Sequence, residues 1–236
     1  MMPRTATPTG SRPRIRDLAM AGAAVLAVVA GASAAYAQKV GVTSAVNPAS
    51  HAGGKTLALA ALMDNKGQVF ATDADRARLA PIFERLKRNG VRNVQVREAG
   101  APLDDLKGRM DAVLIDAPCT GTGVWRRRPD AKWRLTDRAL AERLGEQTAL
   151  LSDAARYVKP GGRLVYVTCS LLPDENADQI AAFLADHADF IAVPPAEVAA
   201  PVPGLADAAL VSGGGLVLSP RRTGTDGFFI SVLRRS

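Results

Sequence analysis

Ala112-Val113-Leu114-Ile115-Asp116-Ala117-Pro118-Cys119 is a short apolar, β-branched run that stops at an acid, a proline and a thiol. It reads as a strand over 112–115 whose carboxyl end carries chemistry. The same grammar recurs on both sides of it. A strand over 163–168 closes on Cys169-Ser170, one over 68–72 closes on Asp73, and weaker or terminal strands are predicted over 41–46, 93–97 and 228–233. Helix-period stretches lie between them: 56–63, 75–89 with Gly90 as its stop, 136–158 ending before Pro160-Gly161-Gly162, and 173–187. In the last of these Pro173 suits a first helical turn, and Asp174 and Glu175 suit the positive end of the helix. The segment 192–215, rich in proline, alanine and glycine, reads as a long irregular connection. Strands alternating with helices give an α/β fold with a mainly parallel, Rossmann-like sheet.

The chain is 236 residues long, enough for one core, and 47% apolar with 22% charged residues, which excludes a wholly disordered chain. A net charge of +7 favours phosphate backbones as partners, although Arg4, Arg12, Arg14 and Arg16 lie in the first sixteen residues, where a targeting segment or tail accounts for them equally well. Aromatic residues are few, against a surface built from base-stacking platforms. Cys119 and Cys169 are the only cysteines, too few for a disulfide scaffold or a structural zinc site, and His51 and His187 are not at ligand spacing from them, so no metal is expected.

Residues 1–40 form a separate block: a basic stretch through Arg16, an apolar run over 18–30, and Ala35-Tyr36-Ala37 before Gln38. This is the order of a signal peptide, with an apolar run too short for a stable membrane span. A leader produced by a misplaced start fits equally well. The catalytic or binding domain is expected over 41–236.

In an open parallel sheet the ligand lies beyond the carboxyl ends of the strands, and four such ends carry polar residues. Gly53-Gly54-Lys55-Thr56 opens the first helix, and its glycines serve either close approach of a ligand or local packing. Residues 49–56 also fit a loose phosphate loop, with Lys55 and Thr56 as phosphate and magnesium ligands and Asp116 as the acid. This makes a phosphate-loop nucleotidase the alternative enzyme. Asp73 either accepts both hydroxyls of a ribose or caps the helix beginning near Asp75. The basic residues over 126–134 and Arg221-Arg222 suit an RNA backbone or a solvated face, and Trp125 and Trp133 read as packing residues.

Three stretches together carry a resemblance. They are Asp116-Ala117-Pro118-Cys119-Thr120-Gly121-Thr122-Gly123-Val124 with the basic run after it, Val165-Tyr166-Val167-Thr168-Cys169-Ser170-Leu171-Leu172-Pro173-Asp174-Glu175-Asn176, and Ser219-Pro220-Arg221-Arg222-Thr223-Gly224-Thr225-Asp226-Gly227-Phe228-Phe229. From Ala52 to its end the chain resembles the RsmB/NOP (Sun/Fmu) family of RNA cytosine-5 methyltransferases. The resemblance implies a class I S-adenosylmethionine-dependent fold acting as a monomer on RNA, ribosomal by analogy, in the cytoplasm and without stable membrane association. It implies that the Cys169 thiolate adds to carbon 6 of cytosine, making carbon 5 nucleophilic toward the cofactor's methyl group. Asp116 then stabilises the charged ring at its nitrogen edge, Cys119 assists release of the product, and Gly53, Gly54, Lys55, Asp73 and Asp116 surround the cofactor. The target base must leave its stack to reach Cys169. Upstream of Ala52 the likeness stops: where the family has an acid and a cysteine this chain has Asn47 and Ala49, and His51 replaces a small residue. An RNA-binding remnant without activity is the third expectation.

Overall fold

The structure is a computed structural model that describes residues 39–44 and 53–236. The predicted strand positions 45 and 46, the leader up to residue 38, and Asn47, Ala49 and His51 lie outside the described residues.

The parallel part of the sheet consists of β1 (Lys39–Ser44), β2 (Gln68–Asp73), β3 (Val94–Val96), β4 (Met110–Asp116) and β5 (Val158–Thr168). Between them lie α1 (Gly54–Leu62), α2 (Arg76–Arg88) and α3 (Asp137–Ala155). After β5 come α4 (Ala177–Asp186), β6 (Phe190–Ala192), α5 (Pro195–Ala199), α6 (Leu205–Ala208), β7 (Leu210–Ser212), β8 (Gly215–Leu218), α7 (Pro220–Thr223) and β9 (Phe228–Arg235). The strand order is β3-β2-β1-β4-β5-β9-β8-β7, parallel from β3 to β5 and antiparallel beyond, with β6 also paired to β9. The chain winds outward from β1 to β3 and then resumes on the other side with β4, so the strand order reverses between β1 and β4. That is the switch point at which such sheets bind ligands.

The apolar runs are continuous because both faces of the sheet are covered. Successive side chains alternate between faces. Ala112, Leu114, Val165 and Val167 join Leu59, Met63, Leu218 and Ile230 in one core, whereas Val113, Ile115, Leu164 and Tyr166 join Leu151, Ile180, Phe183 and Phe229 in the other. Helix starts follow local chemistry. The Asp75 carboxylate accepts the Ala77 amide at 2.8 Å and caps α2, and Thr136 accepts the Ala139 amide at 3.1 Å and caps α3.

Several boundaries differ from the sequence expectation. The helix expected over 136–158 stops at Ala155, and Pro160-Gly161-Gly162 falls inside β5, where the register against β4 shifts between Met110 and Ala112. The helix expected over 173–187 is broken. Pro173–Glu175 forms a 3-10 turn, and Asn176, at φ −121° and ψ −96°, interrupts the chain before α4. Its side chain is committed elsewhere: it accepts from the Thr168 hydroxyl at 2.6 Å and donates to the Ser170 carbonyl at 3.0 Å. The connection expected over 192–215 is not irregular but holds α5, α6 and β7, with β7 hairpinned to β8. No helix of the described residues is long and apolar enough to cross a membrane.

Leu114 lies in the middle of β4 with its side chain fully buried. Leu114→Ala is expected to lower stability by about 2–5 kcal/mol, measured as the shift in a urea unfolding midpoint at constant slope.

Candidate active site

Register brings the strand ends level. Ser44 lies opposite both Asp73 of β2 and Asp116 of β4, and Asp116 lies opposite Val167 of β5. The rim therefore presents Asp73, Asp116 and, two residues beyond Val167, Cys169.

On one side of the switch point, Lys55 in the first turn of α1 reaches across to Asp116, with Nζ 2.6 Å from Oδ2 and both side chains largely buried. Thr56 beside it is buried at 3% exposure. The lysine is thus committed to the acid, which does not support the phosphate-loop reading. Gly53 adopts the left-handed conformation at φ 76°, and a side chain there would collide with Ile82 of α2, so packing fixes this glycine. Gly54 has no heavy atom of the described residues within 4 Å of the position a Cβ would take, so its side of the turn is open. Asp73 is buried, and its Oδ1 accepts the Asp75 amide at 2.9 Å. Asp75 performs the capping that was the alternative role for Asp73. Asp73 borders a cleft of about 370 Å³ whose walls include Ala74, Gly100, Ala101, Pro102 and Leu103.

On the other side the two thiols meet, with Cys119 Sγ 3.3 Å from Cys169 Sγ. The loop carrying Cys119 continues the β4–β5 ladder, since the Ala117 amide donates to the Val167 carbonyl at 2.9 Å. It then folds over the segment after β5. Gly123 N–H donates to the Cys169 carbonyl at 2.9 Å, Leu171 N–H donates to the Thr122 hydroxyl at 2.8 Å, and that hydroxyl lies 3.0 Å from the Ser170 hydroxyl. Gly227, at the entry to β9, donates to the Gly123 carbonyl at 2.8 Å, and a side chain on either glycine would strike the other's backbone.

Glu175, expected as a first-turn helix acid, is fully buried instead. It accepts Thr120 N–H at 2.8 Å, the Thr120 hydroxyl at 2.5 Å and the Gln147 amide at 3.1 Å. The hydrogen bond with Cys169, then burial and the charges of Cys169 and Glu175, hold the Cys119 thiol well above its ordinary 9.0. Burial first, then Cys119 and Glu175, push Tyr166 up likewise.

The basic residues divide. Arg126 and Arg127 bind the buried Asp226 at 3.1 and 2.5 Å, and Arg222 donates to the carbonyls of Ala208 and Asp207 at the end of α6, so these three have structural partners. Arg128, Lys132 and Arg134 are exposed. Trp125 is half-buried, in keeping with packing. Trp133 is 79% exposed with Lys132 Nζ 4.4 Å from its ring, which corrects the packing expectation for that residue. The sequence reading left Gln147, Asn176 and Asp226 without roles and gave Glu175 only that of a helix-terminal acid. Only the position of Glu175, Asn176 and Asp226 inside the quoted motifs marked them.

The family described as 16S rRNA methyltransferase RsmB/F matches residues 45–234. The ribosomal RNA small subunit methyltransferase B of Sodalis glossinidius is 41% identical over 183 residues, which are 77% of this chain and 39% of that protein. Among solved structures, NSun6 from Pyrococcus horikoshii with SFG is 28% identical at a TM-score of 0.70, covering 91% of this chain and 52% of that one. A methyltransferase homolog protein from the same organism is 31% identical at a TM-score of 0.63, covering 84% of this chain and 61% of that one. The chain spans about two fifths of the length of such curated relatives.

Because folding raises the Cys119 thiol above 9.0, the unfolded chain releases this proton first as pH rises, and the fold loses stability above that value. Thermal unfolding followed between pH 8 and pH 11, roughly spanning the thiol's titration, is expected to fall more steeply for the wild type than for Cys119→Ser. Tyr166, raised first by burial and then by Cys119, titrates in both chains, so the difference reports the thiol together with its effect on Tyr166.

Proposed function

Since the chain belongs to the 16S rRNA methyltransferase RsmB/F family, we propose that it transfers a methyl group from S-adenosylmethionine to carbon 5 of a cytosine in RNA, ribosomal RNA being the substrate class. The observation that carries this reading is the pair of sulfurs 3.3 Å apart at the ends of two neighbouring strands. The Lys55–Asp116 pair at the end of the same β4 supports it.

Carbon 5 of cytosine is a weak nucleophile, so the ring must first be converted to an enamine by a thiolate adding at carbon 6. Cys169 is the attacking sulfur. A thiol at Cys119 that keeps its proton can donate S–H to Cys169, and a hydrogen bond to the charged form favours the thiolate. As the C6–S bond forms, negative charge spreads toward the ring's nitrogen edge. There Asp116, with the Lys55 ammonium fixed beside it, offers a shared proton and a positive charge in a site shielded from water. The cofactor supplies an electrophilic methyl group for carbon 5. A base then takes the carbon 5 proton, the electron pair of that C–H bond restores the C5–C6 double bond, and Cys169 leaves as thiolate with Cys119 beside it to assist.

The residues present fit the cofactor. Asp73 has a carboxylate at the end of β2 to accept ribose hydroxyls, the cleft next to it suits the adenine, and Gly54 leaves its turn open toward the methionine end, near Lys55 and Asp116. Gly53 contributes by letting α1 pack close to α2. The exposed run Arg128, Lys132, Trp133 and Arg134 follows directly on the Cys119 loop and suits an RNA strand. An RNA substrate assigns the cytoplasm as the place of work, with a single chain sufficient for the site.

Calorimetric titration of the purified chain with S-adenosylmethionine is expected to give binding that Asp73→Ala weakens at least about tenfold, the loss of one charge-assisted hydrogen bond or more. Cys169→Ala is expected to abolish transfer of labelled methyl to RNA, and Cys119→Ala to accumulate an RNA–protein adduct on denaturing gels. A folded chain that binds RNA but no cofactor would instead be the inactive remnant.

A further inference from the structure

Glu175 has no part in the chemistry above, yet a carboxylate removed from water is among the costlier groups a fold can hold. It is fully buried, and among the described residues no lysine, arginine or histidine pairs with it. Neutral dipoles carry its charge instead, and all of them flank Cys119. Thr120, the residue after the cysteine, donates both its amide and its hydroxyl. Gln147 of α3 donates to Glu175 at 3.1 Å and also to the carbonyl of Pro118, the residue before the cysteine, at 2.7 Å. The backbone of Glu175 is anchored in turn, because the Tyr166 hydroxyl in β5 donates to its carbonyl at 2.8 Å. β5 is the strand that delivers Cys169. Both sides of Cys119 are thus fastened, through one carboxylate and one amide, to the strand carrying the other sulfur.

We propose that Glu175 is the positioning residue for Cys119: its carboxylate clamps Thr120 and Gln147 so that the Cys119 sulfur is held against that of Cys169. The catalytic meaning of the clamp rests on the methyltransferase reading, but the clamp itself does not. The groups facing the thiol are the Cys169 sulfur, the Tyr166 hydroxyl and the Glu175 carboxylate, and the negative charge of the last adds to the tendency of Cys119 to remain protonated. One side chain therefore sets the place of the thiol and adds to its hold on the proton, after the hydrogen bond with Cys169, burial and the charge of Cys169.

The test measures alkylation of the intact chain by iodoacetamide as a function of pH, with the Cys119 and Cys169 peptides quantified separately by mass spectrometry. In Glu175→Gln, which keeps the volume and removes the charge, the Cys119 midpoint is expected to fall by about one pH unit, so that alkylation at pH 8 rises about tenfold. Glu175→Asp, which keeps the charge on a shorter stem, is expected to restore part of the shift. A purely structural role would change the plateau rate through exposure and leave the midpoint in place, and that result overturns the proposal. Should Glu175→Gln not fold, Thr120→Val removes one donor and leaves the carboxylate; by loosening the clamp it lets the Cys119 sulfur move off Cys169, the first cause of the raised midpoint, so the midpoint is expected to fall, and an unchanged midpoint overturns the proposal equally. In methyl transfer, Glu175→Gln is expected to lower kcat at least about tenfold with KM for RNA within about twofold, as for an interaction acting after binding. A shifted thiol midpoint in a wild-type background that methylates no RNA would remove the enzymatic reading and leave the clamp standing.

Discussion

The parallel pairing of β4 with β5 is the constraint on which the rest depends. Neighbouring strands lie about 4.8 Å apart, and the register that sets Asp116 opposite Val167 brings both strands to an end at one level. The Ala117 amide extends the ladder one step beyond the acid. Two residues on each chain past that step are then enough to bring the sulfurs of Cys119 and Cys169 to 3.3 Å. A slip of one residue would turn Leu114 and Val165 out of one core and Val113 and Leu164 out of the other, so the packing of both faces enforces the alignment of the rim.

A rim built from loops is costly when it is buried, because every amide and carbonyl must find a partner. Here the partners come from three segments distant in sequence. The loop after β4 bonds to the segment after β5 through Gly123 and Thr122, and the entry to β9 closes on Gly123 through Gly227. The two glycines face each other so closely that neither tolerates a Cβ. Asp226 extends the same closure outward by binding Arg126 and Arg127. The antiparallel β9 therefore has a second task beyond completing the sheet: the residues that lead into it, Asp226 and Gly227, hold down the loop that carries Cys119.

How much of this was legible in the sequence depended on how local its cause was. The strands over 112–115 and 163–168 stood out because burial on both faces makes them largely apolar, and the acid and thiols stood out because they follow directly on those runs. The helix starts expected at 136 and 75 fall on the side chains that cap them, Thr136 and Asp75, because capping acts within three residues. The break at Asn176 was not legible, since the partners that draw its side chain away are Thr168 and Ser170 of the preceding strand and turn. Nor were β6, β7 and the short helices between them, because elements of three to five residues form only where a neighbouring strand or core accepts them. Glu175 looked like a favourable helix-terminal charge, and only the fold shows Thr120 and Gln147 converging on it.

The rim divides its electrostatics between its two sides. At the end of β4 a lysine ammonium is fixed on Asp116, so positive charge is held against the buried acid at the switch point of the sheet. One turn further along the same loop, Glu175 and the Cys169 sulfur place negative charge around Cys119 and keep its proton on. The two sulfurs are chemically identical in the unfolded chain, and nothing in their immediate neighbours along the sequence ranks them. Their difference comes from the clamp: the sulfur gripped between Thr120 and Pro118 is the one whose thiol is held well above its ordinary range. The sulfur at the end of β5 lies against it, outside that grip.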